Sequence, residues 1–170
     1  MLMIIHSASA NIAKIFVIAK LNMNISSLLN KESVFAQTAC TSKKCALEKI
    51  SHIAGEKLNI DPQILFNRLI AREKIGSTGV GTGIAIPHVK IDSTLPATAV
   101  FMQCESAIDY DSYDGNKVDI LFAIFVPEDR CKQYLSALSE ISQKLLDKRF
   151  LRQLRNAKNN EMLCLLLEIK

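Results

Sequence analysis

The stretch Val118-Asp119-Ile120-Leu121-Phe122-Ala123-Ile124-Phe125-Val126 is apolar at every position but one. A strand with one wet face alternates between apolar and polar residues, whereas a nearly continuous apolar run marks a strand covered on both faces. Such a strand needs helices above and below it, and the surrounding sequence supplies them. From Ser42 to Leu58 the positions Leu47, Ile50, Ile53, Ala54 and Leu58 recur at three- and four-residue steps, which predicts an amphipathic helix. Asp61-Pro62 then reads as the cap and first residue of a second helix that carries Leu65, Leu69 and Ile70 and runs out near Arg72.

Further strands are expected at Gly83–Pro87, at Ala97–Cys104 and, with a weaker pattern, at Val34–Ala39. Asp114-Gly115-Asn116 is a turn signal ahead of the long apolar strand, consistent with a hairpin-like return. Pro127-Glu128-Asp129 ends that strand and starts a helix whose apolar face is Leu135, Leu138, Ile141, Leu145 and Leu146. One or two helical turns over Phe150–Ala157 follow, and Asn159 or Asn160 caps a last helix, Glu161–Ile169. The expected fold class is α/β: a single domain with a mixed β-sheet covered by helices on both faces.

With 170 residues, 49% of them hydrophobic and 22% charged, the chain can bury a substantial core. Its net charge is +4, of which residues 1–22 contribute Lys14 and Lys20 without any acid. The remainder is too nearly balanced for a nucleic-acid footprint. Lys148, Arg149, Arg152, Arg155 and Lys158 form the densest basic stretch, read as a solvated helix face, with an acidic partner surface as the alternative. Cys40, Cys45, Cys104, Cys131 and Cys164 are odd in number and form no C-x-x-C pair, which points to a reduced, cytoplasmic chain rather than a disulfide framework. No two Cys or His stand at zinc-ligand spacing, so no metal is expected. Residues 1–22 are apolar but interrupted by His6, Ser7, Ser9, Asn11 and Lys14. They fit neither a secretory signal nor a stable membrane insertion, and read as a leader from a start codon placed too early, or as an amphipathic anchor. The domain is expected over residues 23–170.

The chemistry concentrates in Arg72-Glu73-Lys74-Ile75-Gly76-Ser77-Thr78-Gly79-Val80-Gly81-Thr82-Gly83-Ile84-Ala85-Ile86-Pro87-His88. Gly79-x-Gly81-x-Gly83 precedes a strand and lacks dinucleotide spacing, and no glycine is followed by Lys-Ser or Lys-Thr, so neither a Rossmann fingerprint nor a P-loop is present. The run nevertheless combines groups that suit a phosphoryl ligand. Arg72 can hold two phosphoryl oxygens at once, Ser77 and Thr78 can donate hydroxyls, and Gly79, Gly81 and Gly83 let backbone N–H groups approach closely. Pro87 restricts the chain just before His88, whose imidazole is a nucleophile largely neutral near pH 7. His52, on the first helix, has no such surroundings and is expected at the surface or its boundary.

This run resembles the active-site signature of the enzyme IIA components of the phosphoenolpyruvate-dependent phosphotransferase system, fructose/mannitol IIA family, nitrogen-regulatory type. Ile25-Ser26-Ser27-Leu28-Leu29-Asn30, Ser42-Lys43-Lys44-Cys45-Ala46-Leu47-Glu48 and the strand from Val118 to Pro127 extend the likeness over about Met23 to Ile169. The resemblance implies that His88 is a phosphoacceptor and that Arg72 stabilises the phosphoryl group, with no cofactor. The implied donor is a small histidine-bearing phosphocarrier protein. Candidate targets are potassium transporters or sensor kinases, and the alternative is a sugar-transport IIA subunit that passes phosphate to a IIB domain. Two positions depart from the family pattern. Val89 stands where glycine is common after Pro-His, and Tyr134 or Ser136 stands where a second histidine is common early in the helix after the long strand.

Overall fold

The computed structural model describes residues 27–170, with the side chain of Ser136 outside that description. The expected leader at 1–22 lies outside the described residues as well. A six-stranded mixed sheet carries strands β1 (Val34–Thr38), β2 (Gly79–Gly81), β3 (Ile84–Ala85), β4 (His88–Ile91), β5 (Thr98–Ile108) and β6 (Val118–Pro127). Five helices lie wholly within the described residues: α1 (Lys43–Leu58), α2 (Pro62–Ile75), α3 (Cys131–Leu145), α4 (Lys148–Asn156) and α5 (Asn160–Leu166). A short 3-10 turn at Glu128–Arg130 leads from β6 into α3.

The apolar run of β6 divides its side chains between two cores, as a period of two requires. Ile120, Phe122, Ile124 and Val126 pack with Ile141, Leu145, Leu151, Leu154 and Leu163 of α3–α5. Leu121, Ala123 and Phe125 pack with Leu47, Ile50, Ala54, Leu65 and Leu69 of α1 and α2. Helices therefore cover both faces, and the expected fold class holds. β5 pairs antiparallel with β6 after the turn at Gly115, whose φ of 71° suits glycine. β5 runs on to Ile108, past the expected Cys104, with its register shifting after Gln103 where the strand becomes exposed.

The expected strand Gly83–Pro87 shrinks to the two residues of β3, and a further strand, β4, starts just past it at His88. β3 and β4 lie in succession along the same edge of β6, both parallel to it, with Ile84 opposite Ile120 and His88 opposite Ile124. Pro87 has no N–H to give a ladder, but its carbonyl accepts from Ile124 N at 2.8 Å, which keeps the chain against β6 through the break. His88 thus opens a strand rather than following one. Helix α2 begins as expected, with the Asp61 side chain accepting from Gln63 N and Pro62 at the first turn, but continues through Ile75. Asn159, rather than Asn160, caps the last helix, which ends at Leu166.

In the basic stretch Lys148, Arg149, Arg152 and Lys158 are exposed, but Arg155 is not part of a free face. Its Nε and Nη2 each donate to a carboxylate oxygen of Asp119 at 2.7 Å, and Nη2 also donates to the Thr82 carbonyl at 2.7 Å. The bidentate pair ties α4 to the start of β6, and the bond to Thr82 ties it to the turn between β2 and β3. Arg155→Ala should cost about 1–2 kcal/mol, and so lower Tm by roughly 3–6 °C, because both side chains keep part of their contact with water. A thermal unfolding scan checks this; an unchanged Tm would show the pair to be decorative.

Candidate functional site

Parallel pairing of β4 with β6 puts the His88 side chain on the same face as Ile124, the face that α3 covers. Val89 points the other way and packs with the α1 and α2 core. The residue after Pro-His is therefore a strand residue whose side chain packs against the core. His88 is half-buried at the edge of the sheet, and α2 and α3 flank it to form a cleft of about 700 Å³.

His88 Nδ1 lies 2.8 Å from the Ile86 carbonyl. A carbonyl only accepts, so Nδ1 carries the proton and, in the neutral ring, the lone pair belongs to Nε2. This fixes the tautomer and orients the ring by the backbone immediately before it. Arg72, from the last turn of α2, lines the same cleft and is half-buried; its Nη1 donates to the Gly76 carbonyl at 2.9 Å. Tyr134, from the first turns of α3, lines the cleft too. Ser136 cannot be placed, its side chain lying outside the described residues.

Two cationic residues of the cleft carry signals that the sequence reading passed over. Arg68 stands four residues before Arg72, hence on the same face of α2, and its Nη1 donates to the Lys90 carbonyl at 2.8 Å, clamping α2 to β4. Lys90 stands two residues after His88, hence on the same face of β4. Together with Arg72 they set three cations against the single carboxylate of Glu128. Exposed Ile75 and Leu135 add apolar surface at the cleft, at 83% and 62% exposure.

The structure brings Arg72, His88 and Tyr134 together and sends the rest of the expected phosphoryl cradle elsewhere. The Thr78 hydroxyl is buried and donates to Glu73 Oε1, while its N–H donates to Glu73 Oε2 at 3.2 Å. Ser77 Oγ donates to the Tyr110 carbonyl at 3.0 Å and accepts from Gly79 N. Neither hydroxyl lines the His88 cleft. The glycines serve a tight turn between β2 and β3: Gly81, Thr82 and Gly83 all have positive φ, at 98°, 55° and 84°. Three consecutive left-handed residues, one of them β-branched, are held because Asp114 accepts from Thr82 N and Arg155 donates to the Thr82 carbonyl. A side chain on Gly79 would collide with Ser112. Among the described residues no cluster of His, Cys, Asp and Glu is arranged to hold a metal ion, and no helix is long and apolar enough to cross a membrane.

The geometry is therefore a cationic, apolar-edged cleft around one backbone-oriented imidazole, suited to nucleophilic attack on an anionic group. Comparison with known proteins gives the same direction. Residues 27–169 match the family described as phosphoenolpyruvate-dependent sugar phosphotransferase system, EIIA 2. The nitrogen regulatory protein of Escherichia coli (strain K12) is 46% identical over 142 residues, covering 83% of this chain and 87% of that protein. The fructose-specific EIIABC component of Bacillus subtilis (strain 168) is 30% identical over 141 residues, covering 82% of this chain and 22% of that larger protein. The crystal structure of the nitrogen regulatory protein IIA-Ntr from Neisseria meningitidis superposes with a TM-score of 0.79 at 28% identity, covering 84% of this chain and 98% of that one. The family match over residues 27–169 and these likenesses settle the family: the chain belongs to the EIIA type 2 family and is a phosphotransferase-system component.

Proposed function

We propose that His88 Nε2 accepts a phosphoryl group from the phosphohistidine of a small carrier protein, and that the phosphorylated and free forms of this chain act differently on target proteins. The observation that carries this reading is the Nδ1–H to Ile86 carbonyl contact, which leaves one ring nitrogen nucleophilic in the cleft that Arg72 also lines. In the step, the lone pair of Nε2 forms the new N–P bond in line with the breaking N–P bond of the donor, whose imidazole leaves with the electron pair. Positioning and charge stabilisation carry most of such a transfer. Arg72 releases the Gly76 carbonyl to hold equatorial oxygens, with Arg68 and Lys90 adding to the positive field.

A phosphoryl group adds about −1.5 to −2 charges to a cleft lined by three cations and one carboxylate, cancelling most or all of its positive excess and changing which surface can dock there. That loss of positive charge supports a regulatory output, as does the 46% identity to a nitrogen regulatory protein. Potassium transporters and sensor kinases remain the candidate targets, with the chain acting in the cytoplasm. The likeness to a fructose-specific component favours a second reading, in which the phosphoryl group passes to a IIB domain.

The test is phosphoryl transfer from phosphoenolpyruvate through purified enzyme I and the histidine phosphocarrier. The expected product is one acid-labile, base-stable adduct per chain, and absence of labelling would overturn the reading. Onward transfer to a IIB domain would select the transport role. Arg72→Ala removes a charge-assisted contact of about 1.5–3 kcal/mol, so the transfer rate should fall roughly ten- to hundredfold. An unchanged rate would remove Arg72 from the proposed step.

A further inference from the structure

The outer face of α4 is cationic, and that of its neighbour α5 is apolar. Lys148, Arg149 and Arg152 span about 100° of the α4 circumference, opposite Leu151 and Leu154, which are buried in the core on the α3 side of the sheet. Lys158 continues the positive charge just past the end of α4. All four are exposed, and among the described residues none of them meets a carboxylate at ion-pair distance. Asp147, the acid next to them in sequence, is engaged as the α4 cap and accepts from Phe150 N at 2.8 Å. On α5, Leu163 and Cys164 face the same core. That leaves Met162 and Leu165 outside, at 41% and 77% exposure, with Glu161 as the only acid of the helix.

The chain reaches this side of the molecule from a segment of matching composition. Residues 1–22 are apolar and carry Lys14 and Lys20, and the first acid of the sequence is Glu32. Leu28 and Leu29, at the start of the described domain, pack into the core that α4 and α5 share, and the 3-10 turn Lys31–Ser33 contacts α5.

We propose that the α4–α5 face docks on an anionic phospholipid surface, its four cations meeting headgroup phosphates and Met162 and Leu165 entering the interface. An acidic protein would satisfy the cations but leave the apolar side chains beside them, and the apolar N-terminal segment, without a partner. A bilayer interface takes both kinds of group, and reversible anchoring needs both signals together. Docking in this orientation leaves the cleft open. Arg155 ties α4 to Asp119 near the start of β6, whereas His88 stands opposite Ile124, about 17 Å further along that strand.

The full chain is mixed with sedimentable vesicles of phosphatidylglycerol and phosphatidylcholine in equal parts, or of phosphatidylcholine alone. It should pellet with the anionic vesicles, stay in solution with the neutral ones, and be released when salt is raised to about 0.5 M. Each cation at such a surface is worth roughly fivefold in affinity, so Lys148→Gln, Arg149→Gln and Arg152→Gln together should weaken binding about a hundredfold. Leu165→Ser should weaken it several-fold with no change of charge. Lys44→Gln, Lys74→Gln and Lys132→Gln together, at exposed positions on α1, α2 and α3, remove the same charge elsewhere and should retain most of the binding. Equal binding to neutral vesicles, equal loss in the two triple variants, or native binding by the α4 variant would overturn the assignment. So would failure to bind the anionic vesicles; retention on poly-L-glutamate in that case would give the face to an acidic protein. None of these outcomes depends on phosphorylation of His88.

Discussion

His88→Ala abolishes labelling of the chain by phosphoenolpyruvate, enzyme I and the phosphocarrier, reducing it to background rather than slowing it. The reason is that His88 is the only imidazole among the described residues lining the cleft. Tyr134 shares the cleft, but a neutral phenol is a far poorer nucleophile than a neutral imidazole, and the Ser77 and Thr78 hydroxyls are committed to backbone and to Glu73. His88→Asn tests the same point with an isosteric, non-nucleophilic side chain that can still donate to the Ile86 carbonyl. In the native chain, NMR of the phosphorylated imidazole should place the phosphorus on Nε2. Labelling of either variant at native yield would move the acceptor away from His88; phosphorus on Nδ1 would mean that the contact to Ile86 breaks before transfer.

How this arrangement could be read from sequence depends on whether its determinants are local. The two-faced covering of β6 is local, because an unbroken apolar run can satisfy neither water nor a one-sided core. The start of α2 is local too, since Asp61-Pro62 supplies a cap acceptor and a preset φ. Placement of His88 at the opening of β4 is not. It depends on β6 exchanging one partner strand for another across Pro87, a long-range pairing that no short window encodes. The glycine-rich stretch shows the same limit. Glycines and hydroxyls in a row suit an anion equally well as a clamped turn, and the groups that decide for the turn are Asp114 and Arg155, 32 and 73 residues downstream of Thr82. Arg68 and Lys90 were within reach of simple periodicity, at four residues from Arg72 and two from His88.

Glu73 shows how far the signature is devoted to building the site rather than to acting in it. The carboxylate follows Arg72 on the last turn of α2 and its side chain is only 5% exposed. Lys43 of α1 contacts Oε2 at 2.8 Å, Thr78 N and Oγ1 donate to it, and the Tyr110 hydroxyl donates to Oε1 at 3.2 Å. Burial, then the Glu73 charge, pushes the Tyr110 hydroxyl up, so it remains protonated as a donor. Lys43 also lies 4.6 Å above the Tyr110 ring. One carboxylate thus joins α1, α2, the segment entering β2 and the segment leaving β5. Glu73→Ala leaves Lys43, Tyr110 and Thr78 without their common acceptor, a loss of about 3–5 kcal/mol of stability. Glu73→Gln keeps the shape and part of the hydrogen bonding, and should cost clearly less. Urea unfolding of the two variants measures the difference; a loss below about 1 kcal/mol in Glu73→Ala would show that water replaces the carboxylate. Because Arg72 hangs from the same helical turn, the alanine variant should also transfer phosphoryl groups more slowly under conditions where it is still folded. Its transfer defect should be smaller than that of Arg72→Ala, since the guanidinium is displaced rather than removed.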